Sequence, residues 1–293
     1  MNVPIGWFIA IAACALAFVE IGGKLSDLWQ PYEYLIIIGA SAGALLAGNK
    51  GRNLKNIFFA FGRAMVPASV NKKANTELLS LMFEVIQRLK RDGVAKISGD
   101  VEDPKSSALF GKYPRVLKNK RLVVFLRDYL IIVIDNKASA SHIEAVLSQE
   151  IEMIHKEAIE PSNSLNVVAD ALPAFGIVAA ITGVVYTLNS LTGDVAPSLV
   201  GAGIAKALVG TLLGVFLSYA VIGPVAMVLK QLADAEVRPY EAVKEIIVAY
   251  YAKFDPLVAV EYGRKALYSD QRPSMDELDK MVKAASGYKM RDN

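Results

Sequence analysis

The chain has little of what soluble chemistry usually needs. It has one cysteine, Cys14, and two histidines, His142 and His155. A lone cysteine cannot close an intrachain disulfide, and these three residues form no recognisable metal site. The net charge of +3 is too small to argue for nucleic-acid binding. No glycine-rich phosphate loop occurs, and no alternating apolar run demands a sheet. No cofactor is expected, and a classical metabolic enzyme has no support. Carboxylates are also missing from long stretches: none lies between Asp170 and Asp194, or between Asp194 and Asp234.

Apolar residues are plentiful. They make up 54% of the chain and mean hydropathy is +0.36, yet 21% of the residues are charged. The two populations are segregated along the sequence. Apolar runs cover 4–22, 34–48, 171–188 and 199–229, and a helical span needs roughly 20 such residues. The second run is short and needs flanking residues or a thinner bilayer. No basic residue precedes the first run, as a cleaved signal would require. Of the 32 Lys and Arg, only Lys24 and Lys206 fall outside 50–156 and 230–291. The basic cluster Lys50, Arg52 and Lys55 after the second run, with Lys230 after the fourth, places the long central loop and both termini in the cytoplasm. Short outer loops are expected at Lys24–Glu33 and Asn189–Ser198.

The expected architecture is an all-α polytopic membrane protein. It has four transmembrane helices, a large helical cytoplasmic loop and a helical C-terminal tail. The divisions are 1–49 (first hairpin), 50–170 (cytoplasmic region), 171–229 (second hairpin) and 230–293 (tail). Leu78, Leu79, Met82, Val85, Ile86 and Leu89 recur at helical spacing, with Gly93 as a stop. Leu122–Ile134 is another apolar helix. Ser141 with Glu144, and Ser274 with Glu277, read as capping boxes.

Within the spans, small residues recur four apart: Gly39, Gly43 and Ala47; Gly176 and Ala180; Gly201 and Ala205; Gly210 and Gly214. Such residues allow close helix packing, within one chain or in an oligomer. Glu20 and Lys206 sit near outer ends and can snorkel. Pro173 either starts the third span or bends it, whereas Pro224 lies inside the fourth and removes a backbone donor there. Thr211 either bonds back to its own helix or faces a water-filled path. With no mid-depth carboxylate on the third or fourth span, a titrating group for ion passage is expected from another chain.

Several blocks are specific enough to carry a resemblance. They are Gln30-Pro31, Asn163-Ser-Leu, the run from Asp170 to Val185 that includes Leu-Pro-Ala-Phe-Gly, Ala207 to Gly214, Val258 to Ser269, and Arg272-Pro-Ser274. In this order they resemble the MotA family of flagellar motor stator proteins along nearly the whole chain.

The resemblance implies a stator subunit in the bacterial inner membrane. It also implies a homo-oligomer, now taken as a pentamer, around a MotB-like partner that supplies a membrane aspartate and a peptidoglycan anchor. The cytoplasmic loop is implied to push the rotor switch protein FliG. Pro173 and Pro224 match the family's functional prolines. Sodium-driven relatives carry threonine where this chain has Ala180, so the implied ion is H+. Thr182 lies about 200° around the helix from Ala180. The family's torque site pairs a basic residue with a glutamate; the matching positions are Lys90 and Ser98, so only the base is kept. Arg88 and Arg91 reinforce it, Asp100 and Glu102 are nearby acids, and Glu150 matches a second charged position. An ExbB/TolQ-type energiser and a non-conducting membrane scaffold are the alternative readings. Two spans before the large loop favour the stator.

Overall fold

The computed structural model describes residues 2–66, 72–135, 138–189 and 196–286. Among these, every regular element is a helix. They are α1 (Asn2–Glu20), α2 (Pro31–Gly48), α3 (Gly51–Ala64), α4 (Lys72–Arg91), α5 (Ser98–Glu102), α6 (Ala108–Gly111) and α7 (Pro114–Lys118). Then come α8 (Lys120–Asp135), α9 (Ala140–Asn189), α10 (Pro197–Phe216), α11 (Gly223–Tyr251), α12 (Pro256–Ala266) and α13 (Met275–Ser286). Four stretches are long and apolar enough to cross a membrane, as the sequence indicates. Most of the outer loop expected at 189–198 falls outside the described residues.

The chain divides into two units, one of residues 1–68 and 159–232, the other of 69–158 and 233–293. These boundaries differ from 49/50, 170/171 and 229/230, because helices do not end where apolar runs end. The third span is the second half of α9, a helix of 50 residues with Pro161 and Pro173 in its interior. Pro173 therefore does not start a helix.

The first unit shows the inverted pattern of a membrane body. Phe8, Tyr186 and Tyr219 are about three-quarters exposed. Its third and fourth spans meet through small residues. A Cβ on Gly176 would lie 2.7 Å from the Gly210 carbonyl oxygen, and one on Gly214 would lie 2.7 Å from that of Leu172. The second halves of α9 and α10 thus meet backbone to backbone, which only glycine permits. Gly39, Gly43 and Gly201 have nothing within 4 Å and leave open faces.

Polar side chains tie the bases of the hairpins. Asn53 on α3 donates to Asn49 Oδ1 (2.6 Å) and to Ser164 Oγ (3.1 Å), and Ser164 Oγ donates to Asn49 Oδ1 (2.7 Å). The Asn163-Ser-Leu block is therefore a docking point for the end of the second span. The basic residues Arg52 and Lys55 lie in the first turns of α3, whose Asn53, Ile57 and Ala64 are buried.

The second unit is a conventional helical core. Leu78, Met82 and Ile86 of α4 pack with Phe125 and Leu126 of α8, Val243 and Ile247 of α11, Val260 of α12 and Leu278 of α13. Each such side chain contributes on the order of 1.5–3 kcal/mol by burial. Gly93, at φ +78°, ends α4 as expected. The Ser274 box forms: Ser274 N donates to Glu277 Oε2 (2.7 Å) and Glu277 N to Ser274 Oγ (3.2 Å). The Ser141 box does not. Ser139 Oγ accepts from His142 N at 3.4 Å instead, so the helix start lies two residues earlier. Gly263 and Arg264 explain one resemblance block. A Cβ at Gly263 would lie 2.6 Å from the Ala242 carbonyl oxygen, and buried Arg264 donates to the Pro273 carbonyl at 2.9 Å.

Glu84, almost fully buried on α4, is the polar centre of this unit. It accepts from Tyr113 Oη (2.6 Å) and from Lys112 Nζ (3.2 and 2.9 Å). Burial first, and then the hydrogen bond to Glu84, hold the Tyr113 phenol well above its usual range. Its contribution to stability is complete below the unfolded phenol value of about 10 and is lost as pH rises past it. Tyr113→Phe should cost about 1.5–3 kcal/mol, the worth of a hydrogen bond to a charged group. Thermal unfolding of the purified chain at neutral pH checks this, and an unchanged midpoint would contradict it.

Candidate functional site

The sequence-predicted residues fall into two groups, one in each unit. In the first unit, Pro173, Ala180, Thr211 and Pro224 belong to the third and fourth spans. Ala180 is buried, and its backbone nitrogen lies 3.3 Å from where a Cβ on Gly210 would stand. It therefore faces α10. Thr182 is exposed on another face, and its hydroxyl donates to the Val178 carbonyl at 2.8 Å. Thr187 likewise donates to Gly183 (2.9 Å). Thr211 behaves differently: half-buried in α10, its hydroxyl makes no hydrogen bond among the described residues.

Pro224 has the clearest structural consequence. The helix before it widens into a π-helical segment, Leu217–Ile222, in which Gly223 N donates to the Ser218 carbonyl. Proline lacks the donor that an α-helix would use at this turn, and π-bulges of this kind cluster at functional sites. Nearby carbonyls are held by side chains of other helices. Trp7 Nε1 of α1 donates to Val221 O (3.2 Å), and Ser162 Oγ of α9 to Ala226 O (2.7 Å). The stretch around Pro224 is thus gripped from two sides, and neither Trp7 nor Ser162 was signalled by sequence spacing.

Glu33 was also missed. Sequence reading assigns it to the outer loop, where a charge normally marks the end of a span. The structure places it in the first turn of α2 and buries it to 7% exposure. The second span thus carries an interior carboxylate, although the third and fourth do not.

In the second unit, Arg88, Lys90 and Arg91 occupy the last turn of α4. They are not equivalent. Arg88 donates to Asp100 (3.2 Å) and lies 3.7 Å from buried Glu84, so it belongs to the internal network. Asp100 is held there as well, accepting from Ser107 Oγ at 2.6 Å. Lys90 and Arg91 project further, with side chains 54% and 65% exposed. Lys90 lies 3.7 Å from Asp255, and Arg91 is paired with its neighbour Asp92 at 2.9 Å. Ser98 spends its hydroxyl on the Val94 carbonyl (2.9 Å). Exposed Glu150 accepts from Tyr129 Oη at 2.7 Å.

Comparison with known proteins bears on both groups. Residues 4–93 match the family described as Motility protein A N-terminal. Residues 117–242 match the MotA/TolQ/ExbB proton channel family. The chain is 38% identical to motility protein A of Salmonella typhimurium over 97% of this chain and 96% of that protein. It is 37% identical to motility protein A of Escherichia coli over the same shares. It is 34% identical to chemotaxis protein LafT of Vibrio parahaemolyticus over 95% of this chain and 98% of that one. The fold is also similar to the C. jejuni MotAB structure (TM-score 0.71, 18% identity, 92% of this chain and 96% of that chain). The flagellar MotAB stator complex of Bacillus subtilis gives a TM-score of 0.70 at 22% identity, over 92% of this chain and 98% of that chain.

The geometry of the α4 terminus separates the three basic residues experimentally. Arg88→Ala should lower the thermal midpoint, because it strips a charged partner from Asp100 and weakens the setting of Glu84. The double variant Lys90→Glu, Arg91→Glu should leave the midpoint unchanged, since exposed pairs contribute only about 0–1 kcal/mol, and yet impair motility. A midpoint that falls equally in both would contradict the distinction.

Proposed function

Since the chain belongs to the motility protein A family, we propose that it is a stator subunit of a bacterial flagellar motor that couples proton flow to torque. It is a membrane protein, and in this reading it sits in the inner membrane with both termini in the cytoplasm. Several copies, in a pentamer, surround a MotB-type partner, which supplies the titrating aspartate and the peptidoglycan anchor. Relatives of known structure were solved as MotAB complexes, which supports such a partner here.

The observation that carries the reading is Thr211. Among the described residues Thr182 and Thr187 bond to their own helices, whereas the Thr211 hydroxyl makes no such bond, at the level of the Gly210 contact with Ala180. A free hydroxyl at mid-span can pass a hydrogen bond to water or to a partner carboxyl as that carboxyl gains and loses a proton. A change there is felt at Pro173 and at the π segment before Pro224, where the helices lack a full set of backbone bonds. Lys90 and Arg91 then present positive charge to the rotor protein FliG. Because Ser98 stands where relatives carry an acid, this chain leans on the basic side of that contact.

Proton rather than sodium coupling is supported by side-chain oxygen supply. A sodium ion needs several oxygen ligands, whereas a proton needs a titratable group and a hydrogen-bond path. Ala180 offers no side-chain oxygen, and the Thr182 hydroxyl is committed to Val178. Motor speed in sodium-free buffer at fixed proton-motive force should equal that with sodium. Rotation that stops without sodium and returns on its addition would overturn the ion assignment. Pro224→Leu should restore the missing backbone donor, straighten the π segment and slow rotation at high load while leaving membrane abundance normal. Full torque at all loads would contradict a coupling role for the bend.

A further inference from the structure

Glu33 is a buried carboxylate that the mechanism above does not use. Its Oε2 atom is buried without a hydrogen-bond partner, and the residue is 7% exposed. It points at the seam of the second hairpin. A Cβ on Gly210 would stand 3.0 Å from Oε2, and one on Gly183 would stand 3.7 Å from Oε1. Glycine at these two positions makes the room that the carboxyl fills.

Its depth follows from the same contacts. Gly210 lies thirteen residues into α10, about 20 Å at 1.5 Å per residue, and its Cβ position is 3.1 Å from Ala179 Cβ and 3.3 Å from Ala180 N. Oε2 is therefore level with Ala180 and Thr211, separated from them by a wall of glycine and alanine. Along the span-forming parts of the packed helices the titratable groups are Tyr186 of α9, with Asp170 thirteen residues before Gly183, and Lys206 of α10, while Lys24, Asp27, Tyr32 and Tyr34 lie near Glu33 in sequence. Lys206 and Tyr186 are exposed, and Glu33 forms no ion pair among the described residues. An unpaired carboxyl inside a span is costly, and such groups in membrane proteins mark ion and proton pathways.

We propose that Glu33 is a second proton-exchanging station of the ion path, one glycine layer behind Ala180 and Thr211. It rests on the proton-driven reading above. The carboxylate takes one proton from the hydrated path and returns it within the same cycle, so no proton is consumed and the partner's aspartate remains the primary carrier.

The test compares parent, Glu33→Gln and Glu33→Asp in motors of the native host, with stator number counted and proton-motive force fixed in sodium-free buffer. Glu33→Gln keeps the shape but cannot exchange a proton. It should slow rotation per stator by roughly tenfold or more, the scale on which lost proton-transfer groups act, at normal membrane abundance. Glu33→Asp should recover part of the speed. The purified stator complex should show a carboxyl infrared band that changes with pH and is missing in Glu33→Gln. Parental speed in Glu33→Gln overturns the proposal. So does equal loss in both variants accompanied by falling membrane abundance, which marks a packing role. The parent is the control for the underlying reading. A parent that needs sodium overturns proton coupling of the motor, whereas a sodium-independent parent matched by Glu33→Gln overturns the relay alone.

Discussion

The contact between the third and fourth spans is the constraint on which the first unit depends. Gly176, Gly210 and Gly214 bring the two backbones so close that a single added Cβ would stand 2.7 Å from a carbonyl oxygen. Inside a bilayer no hydrophobic force drives helices together, so association rests on dense van der Waals packing and hydrogen bonds. Side chains at these positions would push the spans apart and shift every group hung from them. The contact fixes the common level of Ala180, Thr211 and the Glu33 carboxyl. It also leaves no room for a pore between these two spans.

A second constraint sits at the end of the fourth span. Regular α-helix fails through Leu217–Ile222, and the structure compensates with Trp7 and Ser162 on neighbouring helices. A helix whose backbone bonds run in the wider π pattern and whose carbonyls also accept from neighbouring side chains can shift between arrangements by changing only a few hydrogen bonds. The same element continues as α11 into the core around Val243 and Ile247.

Much of this was legible in the sequence. Apolar run length revealed the four spans, and periodicity revealed α4 and α8. Gly93 and the Ser274–Glu277 box marked helix ends through local chemistry that needs no tertiary partner. Other features depend on contacts between distant residues. The continuity of α9 through Pro161 and Pro173 is invisible to a rule that proline ends helices. Glu33 looked like a loop residue because its burial needs Gly183 and Gly210, more than 140 positions away. Arg88 and Lys90 look alike in sequence; only the fold shows that one is tied to Glu84 and Asp100 while the other is exposed. Local rules likewise placed the cap at Ser141, although Ser139 has the geometry.

The central claim is that the glycine seam sets the working geometry of the ion path. Gly214→Ala tests it most directly, since the new methyl would meet the Leu172 carbonyl oxygen at 2.7 Å and Gly176 Cα at 2.8 Å. The measurement is rotation speed per stator in the native host, with membrane abundance of the chain quantified alongside. The account predicts a chain that still inserts at parental abundance and drives rotation at roughly a tenth of parental speed or less, as expected when reacting groups are displaced by about 1 Å. Parental speed from Gly214→Ala at parental abundance would contradict it.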